Sequence, residues 1–305
     1  MRVLLANHAL VRIGGTETWT YEMAKALKDQ GRDVTVYTFL HGPFSEQIEA
    51  LDVPVISEPT GAYDVAFINH RICQGLLGKL DCRKVFTQHG PTHHMEQAMP
   101  GGDVYVGVSE EVVATLAMRG IQADLVRNGV DLRRFTPKKT SNSKPVVLSL
   151  CKNVMGRDMV KRACERAGYE FNSVHWNDNP TYDVSPQMRD ADIVVTYGRG
   201  AYEALACGKA VLVFDARGES PRADGWLTED NVREFVQYNC SGRARNLPWT
   251  EDDIVDALLT YQPQPWGRKW AERHHNAAAM ANKYLSYSRK DEFKITDDVL
   301  EVVNP

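Results

Sequence analysis

Two glycine-rich turns lie where an apolar strand pattern gives way to a helix pattern. Gly14-Gly15 leads into Thr16 and Glu17, and Gly198-Arg199-Gly200 leads into the helix that carries Glu203. Glycine lets a ligand come close to the backbone, and a helix N-terminus offers unpaired amides and a partial positive charge; both suit phosphate. Either turn alone also serves as an ordinary strand-to-helix connection. Two of them, one in each half of the chain, point further, to a shared cleft with an anionic ligand. The run Ser149-Leu150-Cys151-Lys152-Asn153-Val154-Met155-Gly156-Arg157 leaves a strand and enters a polar loop with two bases. Lys152 and Arg157 are either surface charge or a clamp on a diphosphate that gains charge as a bond to it breaks. Glu203 is either a carboxylate favoured by its helix dipole or a bidentate acceptor for a ribose diol.

The loop Thr87-Gln88-His89-Gly90-Pro91-Thr92-His93-His94 follows another strand. Gly90 and Pro91 argue against a helix, so His89 and His93 do not share a helical face, and Glu96 alone does not complete a metal site. Asp190-Ala191-Asp192 is explained by entry into the strand that follows it. A nucleophile-elbow serine and a phosphate-binding P-loop are both missing from the sequence. No metal and no cofactor are expected.

These residues need a scaffold, and the hydrophobic pattern supplies one. Val3–Ala6 and Asp33–Phe39 read as strands, joined through a helix with Trp19, Met23, Ala26 and Leu27 on one face and Gly31 at its C-terminus. Further strands are expected at Val53–Ile56, Asp64–Asn69, Lys84–Gln88, Val104–Val108 and Asp124–Arg127, with Ser109 capping a helix Glu110–Arg119. Residues 136–145, TPKKTSNSKP, read as a linker. The rhythm then restarts at Val146–Leu150, Phe171–Trp176, Asp192–Tyr197 and Ala210–Phe214. Alternation of this kind specifies an α/β fold with two Rossmann-like domains facing a central cleft.

The net charge of −4 gives no global field toward nucleic acid or anionic lipid. No apolar run reaches the length of a membrane span, and the opening MRVLLANHAL reads as a buried strand, not a signal peptide. The six cysteines form no CxxC pair and read as buried thiols of a cytoplasmic protein. Residues 1–135 carry 13 Lys and Arg against 16 Asp and Glu, a poor balance for gripping duplex phosphate.

Four stretches resemble the GT-B retaining glycosyltransferases of the family 4 type. They are Gly14-Gly15-Thr16-Glu17; Val108-Ser109-Glu110-Glu111; Arg127-Asn128-Gly129-Val130-Asp131 with Phe135 and Pro137; and Tyr202-Glu203-Ala204-Leu205-Ala206-Cys207-Gly208-Lys209-Ala210-Val211. The resemblance implies a transferase that moves a hexose from a nucleoside diphosphate sugar to an acceptor hydroxyl, without a metal. It places Gly14, Gly15, Lys152, Arg157, Gly198, Arg199, Gly200 and Glu203 on the donor, with His89 and Glu17 on the acceptor side. His89, Lys152 and Arg157 take the catalytic roles. The implied layout is an acceptor domain over 1–135, the linker, a nucleotide-sugar domain over 146–265, a helix over 266–290 that crosses back, and a tail over 291–305. The resemblance departs at Val195, where the family carries an additional glutamate, and at the loop before Glu203, about two residues short. Acceptors consistent with this reading are a saccharide or small hydroxylated molecule, favoured by the charge balance, or a modified base in viral DNA. A nucleotide-sugar 2-epimerase and a non-catalytic sugar-nucleotide-binding protein share the fold.

Overall fold

The computed structural model describes residues 1–174, 181–218 and 220–288. Seven strands build the first sheet: β1 (Arg2–Ala6), β2 (Asp33–Tyr37), β3 (Val55–Ile56), β4 (Val65–Asn69), β5 (Arg83–Gln88), β6 (Val104–Gly107) and β7 (Asp124–Leu125). Their order is β3-β2-β1-β4-β5-β6-β7, and every pairing is parallel. The second sheet holds β8 (Val146–Ser149), β9 (Glu170–Ser173), β10 (Ile193–Thr196), β11 (Ala210–Asp215), β12 (Arg222–Leu227) and β13 (Leu247–Pro248), in the order β13-β12-β11-β10-β8-β9. Helices cover both faces of a parallel sheet, so the central strands are mainly apolar: Val65–Asn69 and Ile193–Thr196 are buried at every position.

Both domains therefore carry two apolar layers. In the first, Trp19, Met23 and Phe67 lie on one side of the sheet and Phe86, Leu116 and Tyr63 on the other. Ser109 caps its helix as expected, its Oγ accepting from the Val112 amide. Gly31 takes φ +70° just past the first helix, Gly15–Asp29.

The second sheet departs from the expected pattern at its edge. β12 runs antiparallel to β11 and β13. Its sequence, Arg222-Ala-Asp-Gly-Trp-Leu227, has no apolar run to announce it, because buried Asp224 faces the amides of Arg245 (2.8 Å) and Asn246 (3.4 Å). On the opposite edge the expected strand Phe171–Trp176 is β9, Glu170–Ser173; residues 175–180 lie outside the described residues. The linker is tied down by Asp192, which accepts from the Val146 amide at 2.9 Å and Asn142 Nδ2 at 3.0 Å.

The single C-terminal helix expected over 266–290 is two helices, Gly267–His274 and Ala277–Ser286. Asn276 breaks it by capping the second, its Oδ1 accepting from the amides of Ala278 (2.8 Å) and Ala279 (3.3 Å). The first packs on the helix Arg199–Ala206 of the second domain and the second on Gly15–Asp29 of the first. The break is stitched to the chain before the linker: Val130 N–H donates to His275 O (2.7 Å) and Ala277 N–H to Val130 O (3.1 Å). A Cβ at Gly129 would come within 2.6 Å of Ala277 Cα, so glycine is needed for this approach. Residues 289–305, including the expected tail, lie outside the described residues. Among those described, no helix is long and apolar enough to cross a membrane.

Candidate functional site

Strand order reverses between β1 and β4 in the first sheet and between β8 and β10 in the second. At such a switch point the loops beyond the carboxyl ends of the strands diverge and leave a crevice. The two crevices face each other across a cavity of about 740 Å³. His8 follows β1 and His70 follows β4 on one wall; Lys152 follows β8 and Gly198 follows β10 on the other.

On the second-domain wall, Asn153 decides what the two expected bases do. Its Oδ1 accepts from the Gly156 amide at 2.7 Å and so starts the helix Val154–Ala167 directly after Lys152. Lys152 stays on the cavity wall. Arg157 falls one turn into the helix, its Nε 3.4 Å from Asp158 Oδ1, and is not among the cavity-lining residues. The expected pairing of Lys152 with Arg157 therefore gives way to Lys152 with Arg217, which the sequence reading missed. Arg217 follows β11, donates to Asp215 Oδ2 at 2.6 Å and lies over the Tyr197 ring at 4.0 Å. Its position after an apolar strand and before Gly218 was a usable signal. Desolvation by the cavity walls lowers the Lys152 pKa, and nearby Glu17 opposes this.

Gly198 takes φ +64°, which glycine adopts freely. Its N–H already donates to Cys240 O at 2.8 Å, so this amide is committed to the protein, contrary to expectation. The amides of Arg199 and Gly200 then open the helix toward the cavity. The Arg199 side chain turns back: Nε donates to Glu203 Oε1 at 2.8 Å, and Nη2 lies 3.6 Å from Glu22 Oε1. Glu22, from the first domain and 1% exposed, also pairs with Arg134. Burial raises the Glu22 pKa, while Arg199 and Arg134 work against the rise. Glu203 thus lines the cavity as one member of a quartet of charges that joins the two domains, with Glu22, Arg199 and Glu203 buried and Arg134 half-buried, not as a bare carboxylate.

The first-domain wall is built differently. Glu17 folds over its own helix N-terminus, accepting from Thr16 Oγ1 at 3.1 Å and from its own amide. Its carboxylate occupies the space a Cβ at Gly14 would need. Gly14 and Gly15 line the cavity, but this helix end already faces an anion, so the two glycine turns are not equivalent. Burial is the main cause of a raised Glu17 pKa.

Beside Glu17 stand imidazoles. His89 Nε2 is 2.9 Å from Asn69 Oδ1, and its ring meets Trp19 edge-on at 5.4 Å. His70 meets His8 edge-on at 4.8 Å and takes φ +66°, rare outside glycine and a source of backbone strain next to a cavity. Desolvation lowers His70 and His89 to about 3 and lowers His8 as well. All three are neutral at pH 7 and offer ring nitrogens without charge. The sequence reading missed His8 and His70; their place just after β1 and β4 was the signal. Glu96 completes this wall, its pKa raised by burial. Among the described residues no three His, Cys, Asp or Glu side chains converge as a metal site.

No family model matches the sequence, and no curated protein matches it. Solved structures do match. Anabaena Alr3699/HepE, in complex with UDP and glucose, superposes with TM-score 0.65 at 14% identity, covering 94% of this chain and 98% of that one. AviGT4, a glycosyltransferase involved in avilamycin A biosynthesis, matches with TM-score 0.56 at 13% identity over 94% and 97%. A UDP-N-acetylglucosamine 2-epimerase matches with TM-score 0.53 at 12% identity over 93% and 94%. At these identities the likeness is one of fold, and the fold is GT-B: two Rossmann-like domains facing a central cleft.

Proposed function

We propose that this chain is a glycosyltransferase that moves a hexose from a nucleoside diphosphate sugar to an acceptor hydroxyl with retention of configuration. The observation that carries the reading is the second-domain wall: Lys152, Arg217 and the amides opening the helix Arg199–Ala206 converge on one side of the cavity, with Glu203 beside them. Cations and fixed amides stabilise the diphosphate as it gains charge in the transition state. Glu203, held in place by Arg199, accepts the ribose hydroxyls. UDP in the Alr3699/HepE structure supports a uridine donor. The leaving phosphate oxygen takes the acceptor proton on the face where the new bond forms, so the mechanism asks for no protein nucleophile. His89, on the opposite wall, contacts the transferred sugar.

The acceptor enters between the walls from the first domain. His8, His70 and His89 are uncharged there at neutral pH, which suits a polyhydroxylated molecule better than a phosphate backbone. The test is turnover: UDP-glucose with a panel of saccharide and small hydroxylated acceptors, in EDTA, followed by proton NMR of the anomeric centre. The reading expects UDP release that depends on acceptor and an α-linked product. Conversion of a nucleotide sugar to its 2-epimer without acceptor would overturn it. Turnover on modified DNA alone would keep the transferase and replace the acceptor. Nucleotide binding with no turnover on any acceptor would favour a sensor.

A further inference from the structure

Four carboxylates line the cavity among the described residues: Glu17, Glu96, Glu203 and Asp215. Three of them are already occupied. Glu17 accepts from Thr16, Glu203 from Arg199 and Asp215 from Arg217. Glu96 accepts no hydrogen bond from any described residue, although burial has stripped much of its water. A desolvated carboxylate left without donors is costly, and a ligand that brings donors removes the cost.

Its placement is built into the loop. Glu96 ends the short 3-10 turn His94–Glu96, and its Oε2 lies 2.7 Å from where a Cβ at Gly90 would stand. Gly90 therefore leaves the space that the carboxylate uses, next to His89. Lys152 and Arg217 are near enough across the cleft to act on its charge. A ligand spanning this gap needs an anion at one end and hydroxyl donors at the other. A sugar diphosphate has that shape: the diphosphate goes to the cations and the sugar hydroxyls face the carboxylate.

We infer that Glu96 is a specificity-determining residue of this cleft, the carboxylate that holds the hydroxyls of the sugar carried on the diphosphate. The inference rests on the donor site proposed above and adds a contact from the opposite domain. It supplies from the first domain an acidic contact to the sugar at a site whose second-domain wall has Val195 within a strand. The role is selective, because the nucleotide without its sugar does not reach Glu96.

Calorimetric titration of the wild type, Glu96→Gln and Glu96→Asp with UDP and with UDP-glucose tests this. Glu96→Gln keeps volume and removes charge; Glu96→Asp keeps charge and withdraws it by one methylene. Melting temperatures of all three show that each is folded. The expected result is a UDP dissociation constant within about twofold of wild type and a UDP-glucose constant weakened about tenfold or more, the scale of a charge-assisted hydrogen bond. Equal change for the two ligands, or no change for either, overturns the role of Glu96 and leaves the donor site standing. Failure of the wild type to bind UDP sinks the donor-site reading itself.

Discussion

Acidification should unfold this protein through two buried histidines. His275 is 1% exposed and stacks on Tyr202 at 3.8 Å between ring centres. Its Nδ1 is 2.9 Å from Asn128 O, which fixes the proton there, and its Nε2 is buried with no partner among the described residues. Protonation would put a second N–H where nothing accepts it. His70 is 4% exposed, with Nδ1 buried and unpartnered. Burial lowers both to about 3, against 6.5 in an open chain. The sign follows directly: below pH 6.5 the unfolded chain takes up these protons and the folded one does not, so stability falls as pH drops toward 3. At pH 5.5 each histidine contributes about 1.4 kcal/mol of loss, about 3 kcal/mol for the pair, a large part of an ordinary 5–15 kcal/mol total. Urea unfolding at pH 7.5 and 5.5, on wild type and His275→Gln, isolates the effect. The variant should lose about 1.4 kcal/mol less than wild type between the two pH values. Identical pH dependence of the two proteins would refute the reasoning.

Other consequences concern the cleft. Lys152→Ala and Arg217→Ala should each weaken UDP binding about tenfold or more, while Arg157→Ala should leave it within about threefold, measured by calorimetry. A loss from Arg157→Ala as large as from Arg217→Ala would restore the pairing expected from the sequence. Glu22→Ala should remove the shared counter-charge of Arg134 and Arg199 and lower stability by about 3–5 kcal/mol in chemical denaturation. A loss under about 1 kcal/mol would mean that water reaches those guanidiniums.

Much of the fold could be read because parallel sheets covered on both faces leave an unmistakable apolar run. β1, β4, β10 and β11 are such runs. β12 could not be read this way, since Asp224 is buried and its Oδ1 accepts backbone amides contributed from 21 and 22 residues away. The break in the C-terminal helix escaped notice for a similar reason. Asn276 caps it locally, but the bonds that fix it run to Val130, distant in sequence.

Within the site, Lys152, Gly198–Gly200 and Gly14–Gly15 could be placed on the cavity from strand-end position, and Glu17, His89 and Glu203 with the help of the family resemblance. Arg157 could not, because its direction depends on which residue caps the helix, and Asn153 starts it one residue after Lys152. Arg217, His8 and His70 obey the same strand-end rule and were legible in principle. The bridging of Glu203 and Glu22 by Arg199 was not, since it joins a helix of each domain.

The measurement that bears most directly on the central claim is a structure of this chain with UDP bound, grown in EDTA. The account predicts the diphosphate against Lys152, Arg217 and the amides of Arg199 and Gly200, with the ribose on Glu203. UDP seated instead on the Gly14-Gly15 turn, or no UDP in the cleft at saturating concentration, would contradict it.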